Sequence, residues 1–273
     1  MTRVFAGAGT EMRIAMRNRW VAIAVVMMAL FALVLSAAGS APTGQIGADK
    51  LSVTVASLTS LAVYLVPLLA LLMSFDAVAG EIERGTLPLV LTYPVSRGEI
   101  LAGKFLAHLG VLGIALAAGY GVAAAAAFAF DPGAAAGLPA LARLLLTSLL
   151  LGAAFLGGGY AVSALARRPG SAAGIAIGLW LVFVVLYDLG LLAAVVADGG
   201  GAFTTHVFPW MLLANPADAF RLYNLAASEA AGAAAGVAGA AQTIPPAWAL
   251  SSLLAWAAGG FALAILAFRR VTP

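Results

Sequence analysis

Long apolar runs alternate along this chain with short polar breaks rich in arginine. The hydrocarbon core of a bilayer is about 30 Å thick, and a helix needs roughly 20 residues to cross it. Six stretches meet that requirement: 20–38, 55–75, 105–130, 144–166, 172–196 and 248–268. The pattern predicts an all-α, polytopic membrane protein with six transmembrane helices. Ahead of the first run, Val4, Phe5, Met12, Ile14 and Met16 interleave with Arg3, Arg13, Arg17 and Arg19. Residues 1–19 therefore read as an amphipathic helix on the inner interface, its basic side chains near anionic lipid. The six-span domain occupies 20–273, with an inner segment at 76–104 and an outer loop at 197–247.

Composition agrees with an integral bundle: 63% of the 273 residues are hydrophobic and 9% charged, too few to coat a soluble globule. Arg3, Arg13, Arg17 and Arg19 precede the first span, and Arg84, Arg97 and Lys104 lie between spans two and three. Arg167 and Arg168 lie between four and five, and Arg269 and Arg270 follow the sixth. Only Lys50, Arg143 and Arg221 of the 14 basic residues fall on the other side. An excess of Lys and Arg marks cytoplasmic loops, so a multi-pass protein of the bacterial inner membrane with both termini cytoplasmic is expected. The basic excess speaks of that orientation and not of nucleic acid, and the bilayer is the partner it implies. Ser36-Ala37-Ala38 resembles a signal-peptide cleavage site, yet the apolar run before it is longer than a usual h-region and reads as an anchored span. With no cysteine, the chain builds no disulfide, thiolate metal site or redox pair.

Several features of the chain invite chemistry. Gly98 to Lys104 matches the first seven positions of a phosphate-binding loop, but Phe105 stands where a Mg²⁺-holding Ser or Thr belongs and no strand precedes it. ATP hydrolysis is not expected of this chain, and no catalytic residue is assigned. His108 and His206 are the only histidines, and their spacing to methionine assembles no copper site, so no metal site is expected. Asp188 is an ionisable residue at membrane depth near the outer end of span five, either in a transport path or a structural anchor. Pro67 removes a backbone donor inside span two and predicts a kink. Gly170, Gly174 and Gly178, like Gly157-Gly158-Gly159, mark helix–helix contacts within one chain or between two. In the outer loop, Asn215-Pro216-Ala217-Asp218 reads as a helix start: a capping Asn, a Pro at the first position, an acid at the positive helix end.

The strongest pattern is the inner segment. A short acidic helix ends at Gly85, and a second turn-and-helix begins after Pro94, giving two polar knobs joined to spans two and three. Glu81, Glu83, Gly85, Thr86 and Leu87, then Pro94, Ser96 and Arg97, then Gly103 and Lys104, resemble the coupling motif of ABC-2-type permeases. That resemblance implies a type V exporter-like fold, a homodimer and a cytoplasmic ABC ATPase on a separate chain, with ATP and Mg bound there and no cofactor in this one. It implies that Glu81, Glu83, Arg84, Gly85, Thr86 and Arg97 meet the ATPase, with Arg167 and Arg168 as a secondary contact. A narrower likeness, to permeases of nitrous oxide reductase maturation systems, rests on Arg17-Asn18-Arg19-Trp20, Leu91-Thr92-Tyr93-Pro94, Tyr187-Asp188-Leu189 and residues 215–221. It implies a periplasmic subunit in contact with Asn215, Asp218, Phe220 and Arg221, a role in copper-centre maturation, and a possible link to a copper chaperone. The alternatives are an ABC-2 exporter of a lipid, peptide or drug, and an ion-coupled secondary transporter.

Overall fold

A computed structural model describes residues 50–92, 95–166, 168–225 and 244–271, together with Val26, Leu30 and Val34. The interfacial helix expected at 1–19 and most of the first span lie outside the described residues, as does Arg167. Among the described residues the architecture is all-helical, with five helices long and apolar enough to cross a membrane.

Helix α1 runs from Lys50 to Ser74 and contains Pro67. Its buried positions Leu51, Val55, Leu58, Ala62, Val66 and Ala70 recur every three or four residues and form one stripe facing the bundle. Hydroxyls on that stripe are satisfied within the helix: Thr59 donates to the Val55 carbonyl at 2.8 Å and Ser74 to the Ala70 carbonyl at 2.7 Å. Two short helices follow, α2 (Ala79–Glu83) and α3 (Leu87–Leu91). Helix α4 spans Arg97–Phe130 and starts eight residues earlier than the hydropathy suggested. The cause is a capping box: the Ser96 hydroxyl accepts from the Glu99 N–H, and the Glu99 carboxylate accepts from the Ser96 N–H at 2.8 Å. The apparent phosphate loop at 98–104 is therefore the first two turns of a membrane helix.

A 3₁₀ turn, Pro132–Gly137, leads into α5, Leu138–Ala166, which absorbs Arg143 that hydropathy had placed in a loop. Helix α5 is the central post. Gly152 takes the Leu112 side chain against its backbone, and Gly159 takes Ser74. Gly157 meets the main chain of α10 (Pro246–Arg269) at Gly260, where an added Cβ would sit 2.6 Å from the Phe261 nitrogen. Backbones touch there, which in lipid is how small residues tie helices together.

The fifth span is two α-helical halves, α6 (Pro169–Trp180) and α7 (Tyr187–Asp198), joined by a π-helical turn, Leu181–Leu186. Wider turns of this kind are often found at functional sites. This span stands apart: 11% of its most apolar window is buried, and 17% of that of α10, against 50–56% for α1, α4 and α5. Gly199, at φ 58°, closes α7 with its N–H on the Val195 carbonyl. The outer segment then re-enters the bundle as a π turn (Phe203–Val207), α8 (Phe208–Leu213) and α9 (Pro216–Leu225). Trp210 of α8 packs edge-on against Trp248 at the start of α10, ring centres 6.1 Å apart, and both are exposed.

Candidate functional site

Two polar constellations interrupt the apolar bundle, one at each end. At the first end, α2 and α3 connect α1 to α4 in the chain, and α2 packs against α5 and α6. The free N–H groups that open α2, those of Val78 and Ala79, both donate to the Ser163 hydroxyl of α5, at 3.0 and 2.9 Å. That single buried side chain replaces a local N-cap and fastens α2 to the central post. Gly80 packs directly on the Asp76 carboxylate, leaving no room for a side chain. Gly85 turns the chain at φ 66°, a left-handed conformation that glycine adopts without a Cβ penalty. The Thr86 N–H then returns to the Glu81 carbonyl at 3.0 Å.

The expected contact residues split into two sets. Glu81 turns inward: its carboxylate meets the Lys104 ammonium of α4 at 2.7 Å, and both side chains are nearly buried. It is a brace between α2 and α4, and its carboxylate is not on the surface where a partner chain was expected to touch it. Glu83, Arg84 and Gly85 are exposed, with Arg84 3.4 Å from Asp76, and Thr86 is half-buried behind them. Arg97 also serves this chain: its guanidinium donates to the carbonyls of Phe268 and Arg269 at 3.2 and 3.3 Å and to that of Val271. A cation at a helix C-terminus satisfies carbonyls left open there and favours the dipole, so Arg97 pins α10 to the start of α4. Arg168, exposed, precedes α6 at the same end. The outward ridge is thus Glu83–Gly85 with Arg168, and Ser163 and Lys104 hold it in place.

The second constellation lies between α7 and α9. Arg221 meets Asp188 through two nitrogens, at 2.9 and 2.8 Å, and Asp218, one helical turn before it, at 3.2 Å. Asn215 caps α9, its side-chain oxygen accepting from the Ala217 N–H at 3.0 Å, while its amide donates to the Phe183 carbonyl in the π turn at 2.7 Å. Tyr187 donates to the Met211 carbonyl at 2.7 Å. Asn215, Asp218 and Phe220 are buried and Arg221 nearly so. These four had been expected to face a periplasmic partner. They face this chain's own spans, because α9 re-enters the bundle and a charged helix there must spend its charges inward. Asp188, ten residues before the end of α7, is anchored by Arg221. Burial first, and then the Asp188 charge, push the Asp218 carboxyl up to about 8, against a partial lowering by Arg221.

Sequence reasoning passed over Ser163, a lone hydroxyl in an apolar run that carries no local sign of a partner 84 residues away. It also missed the brace at Lys104, and the hydrogen bond of 2.8 Å between Tyr160 and His108 inside the bundle. Among the described residues no cluster of His, Cys, Asp or Glu could hold a metal ion. Between α5, the fifth span and α10 lies an apolar cavity of about 460 Å³, lined by Phe155, Leu179, Phe183, Trp256, Leu263 and glycines and alanines of the facing helices.

Among the described residues, five membrane-length apolar helices, a braced ridge at one end and a charged latch toward the other define the class: a polytopic helical membrane protein. The chain belongs to the ABC-2 family of transporter proteins, whose family profile matches residues 6–272. It is 42% identical to a protein of Stutzerimonas stutzeri and 46% identical to one of Pseudomonas aeruginosa, each over 99% of both chains. Both relatives carry the description "Probable ABC transporter permease protein NosY".

Proposed function

We propose that this chain is the non-catalytic membrane subunit of an ATP-driven assembly of the NosY kind, homodimeric in the bacterial inner membrane with both termini cytoplasmic. A NosF-like ATPase binds ATP and Mg on the inner side, and a NosD-like subunit docks outside. The assembly serves maturation of the copper centres of nitrous oxide reductase, by transport or by mechanical change at the periplasmic face, with a copper chaperone as a further partner. The observation that carries this reading is the ridge at Glu83, Arg84 and Gly85, exposed on a short helix that Ser163 and the Glu81–Lys104 pair fasten to two spans. A push on a ridge so braced moves α1, α4 and α5 instead of bending a loop. The homodimer is supported by the open face of α6, where a Cβ added at Gly170, Gly174 or Gly178 would meet nothing within 4 Å. Replacing Gly174 with Leu is expected to shift the detergent-solubilised dimer toward monomer. The decisive test is ATP turnover of the purified complex: reversing Glu83 and Arg84 together (E83K/R84E) uncouples hydrolysis from the membrane subunit without loss of folded protein. Unchanged, substrate-responsive turnover would remove the ridge from the coupling path.

One observation favours a second reading, export of a lipid, peptide or drug: the 460 Å³ cavity is lined almost wholly by apolar groups, with no charged side chain to recognise a metal or a small anion. Reconstituted vesicles in which ATP drives a labelled lipid outward, with no dependence on a periplasmic partner, would decide for it.

A further inference from the structure

The outer cluster contains one guanidinium and two carboxylates, so its charges do not balance. Arg221 gives two of its nitrogens to Asp188 and reaches one oxygen of Asp218. The other oxygen of Asp218, Oδ2, is buried without a donor. The side chain is 2% exposed, which removes it from bulk water. Arg221 brings the Asp188 carboxylate, itself an acceptor, beside the Asp218 carboxyl. Two acceptors can share a hydrogen bond only if one carries a proton, the arrangement that makes paired carboxylates in one site hold a proton.

We propose that the Asp188–Arg221–Asp218 cluster is a proton-binding site, with the proton on Asp218 Oδ2 while α9 is packed against the fifth span. The step is a plain acid–base exchange: hydronium gives up its proton, an O–H bond forms at Oδ2, water leaves, and the negative charge of Asp218 disappears. Protonated, the cluster is neutral, Arg221 belongs to Asp188, and the latch between α7 and α9 is complete. Deprotonated, it holds an uncompensated buried anion, which favours release of α9 toward water. Burial and the Asp188 charge both act on Asp218 in that direction, and Arg221 opposes them. The other ionisable groups acting on the cluster are Tyr187 of α7, which bears on Asp218, and Tyr64 of α1, which bears on Arg221. Asn215 adds a neutral donor. The position fits a switch, because Asp188 follows the π turn where the fifth span changes its winding. Opening of the outer face then becomes dependent on periplasmic pH, whatever the cargo.

The test uses the full chain in lipid nanodiscs, with Asp218→Asn and Asp188→Asn beside it. In the unfolded chain an ordinary carboxyl loses its proton near pH 4, whereas the folded cluster keeps it up to about 8. The thermal midpoint should therefore fall as pH rises through that window and level off above it. Asp218→Asn should lack that decline and also lack the protonated-carboxyl infrared band that the parent chain shows at pH 7. Should Asp218→Asn fail to fold, Asp188→Asn removes the second acceptor and should bring the inflection down by about one to three pH units. The inflection should not respond to exchanging sodium, potassium and choline. A decline or a band that survives in Asp218→Asn overturns the proposal. So does an inflection unmoved in Asp188→Asn, or one that follows alkali-ion concentration, which would mark a metal cation in place of the proton.

Discussion

Adding one methyl group at Gly157 tests the packing at the centre of the bundle. A Cβ there would fall 2.6 Å from the Phe261 nitrogen and 2.7 Å from the Gly260 carbonyl oxygen, and closer still to the Gly260 carbonyl carbon. These are main-chain atoms of α10, which no rotamer change moves aside. Ordinary contact begins near 3.4 Å, so the two helices must part by about 1 Å along their crossing. Overpacking of a fitted contact costs about 1–3 kcal/mol, and the unyielding backbone puts this site toward the upper end. Alanine recovers up to about 1 kcal/mol of helix propensity over glycine. The net expectation for Gly157→Ala is a loss of about 1–2 kcal/mol. Gly121 of α4 is the control, because a Cβ there meets nothing within 4 Å, and Gly121→Ala should be neutral or stabilising. Equilibrium unfolding in mixed detergent micelles reads both. A Gly157→Ala variant as stable as Gly121→Ala would refute the backbone contact between α5 and α10.

Further outcomes follow from the two polar constellations. Ser163→Ala strips the acceptor from the Val78 and Ala79 N–H groups, at about 1–3 kcal/mol for each buried group left unpaired. Hydrogen exchange should quicken at those two amides while the centre of α5 stays protected. Arg221→Met leaves the Asp188 carboxylate without its cationic partner beside Asp218. The loss should be about 3 kcal/mol, the lower end for breaking a buried pair, because Asp188 is a third exposed and partly screened by water. Its thermal midpoint should recover in the Arg221→Met, Asp188→Asn double variant. Tyr120→Phe deletes a buried hydrogen bond of 2.9 Å to Ser148 and should cost about 1 kcal/mol, read as a small fall in the unfolding midpoint.

Most of the helical layout could be read directly. Runs of apolar residues gave the cores of α1, α4, α5, the fifth span and α10, with the starts of α1, α4 and α5 read five to eight residues late. The start of α4 was read late, since Arg97, Glu99 and Lys104 lower the hydropathy although Ser96 and Glu99 supply a cap. Capping chemistry was legible at Asn215, which sits beside the helix it caps. Direction was not. Glu81 and Glu83 are two residues apart, so on a helix they point to nearly opposite sides, and nothing local says which meets Lys104. The charges of α9 looked like an outer surface because they lie in a loop by hydropathy. Only the third dimension shows that α9 folds back against Asp188.

The crossing of α5 and α10 has a mechanical consequence. Where main chain rests on main chain there is no rotatable bond to absorb motion, so the two rods travel as a single beam. That beam is gripped at one end by the Ser163 hydroxyl and by Arg97, and it carries Trp248, seated against Trp210, at the other. A displacement delivered at the Ser163 end would therefore be carried along the pair to the tryptophans at the other end.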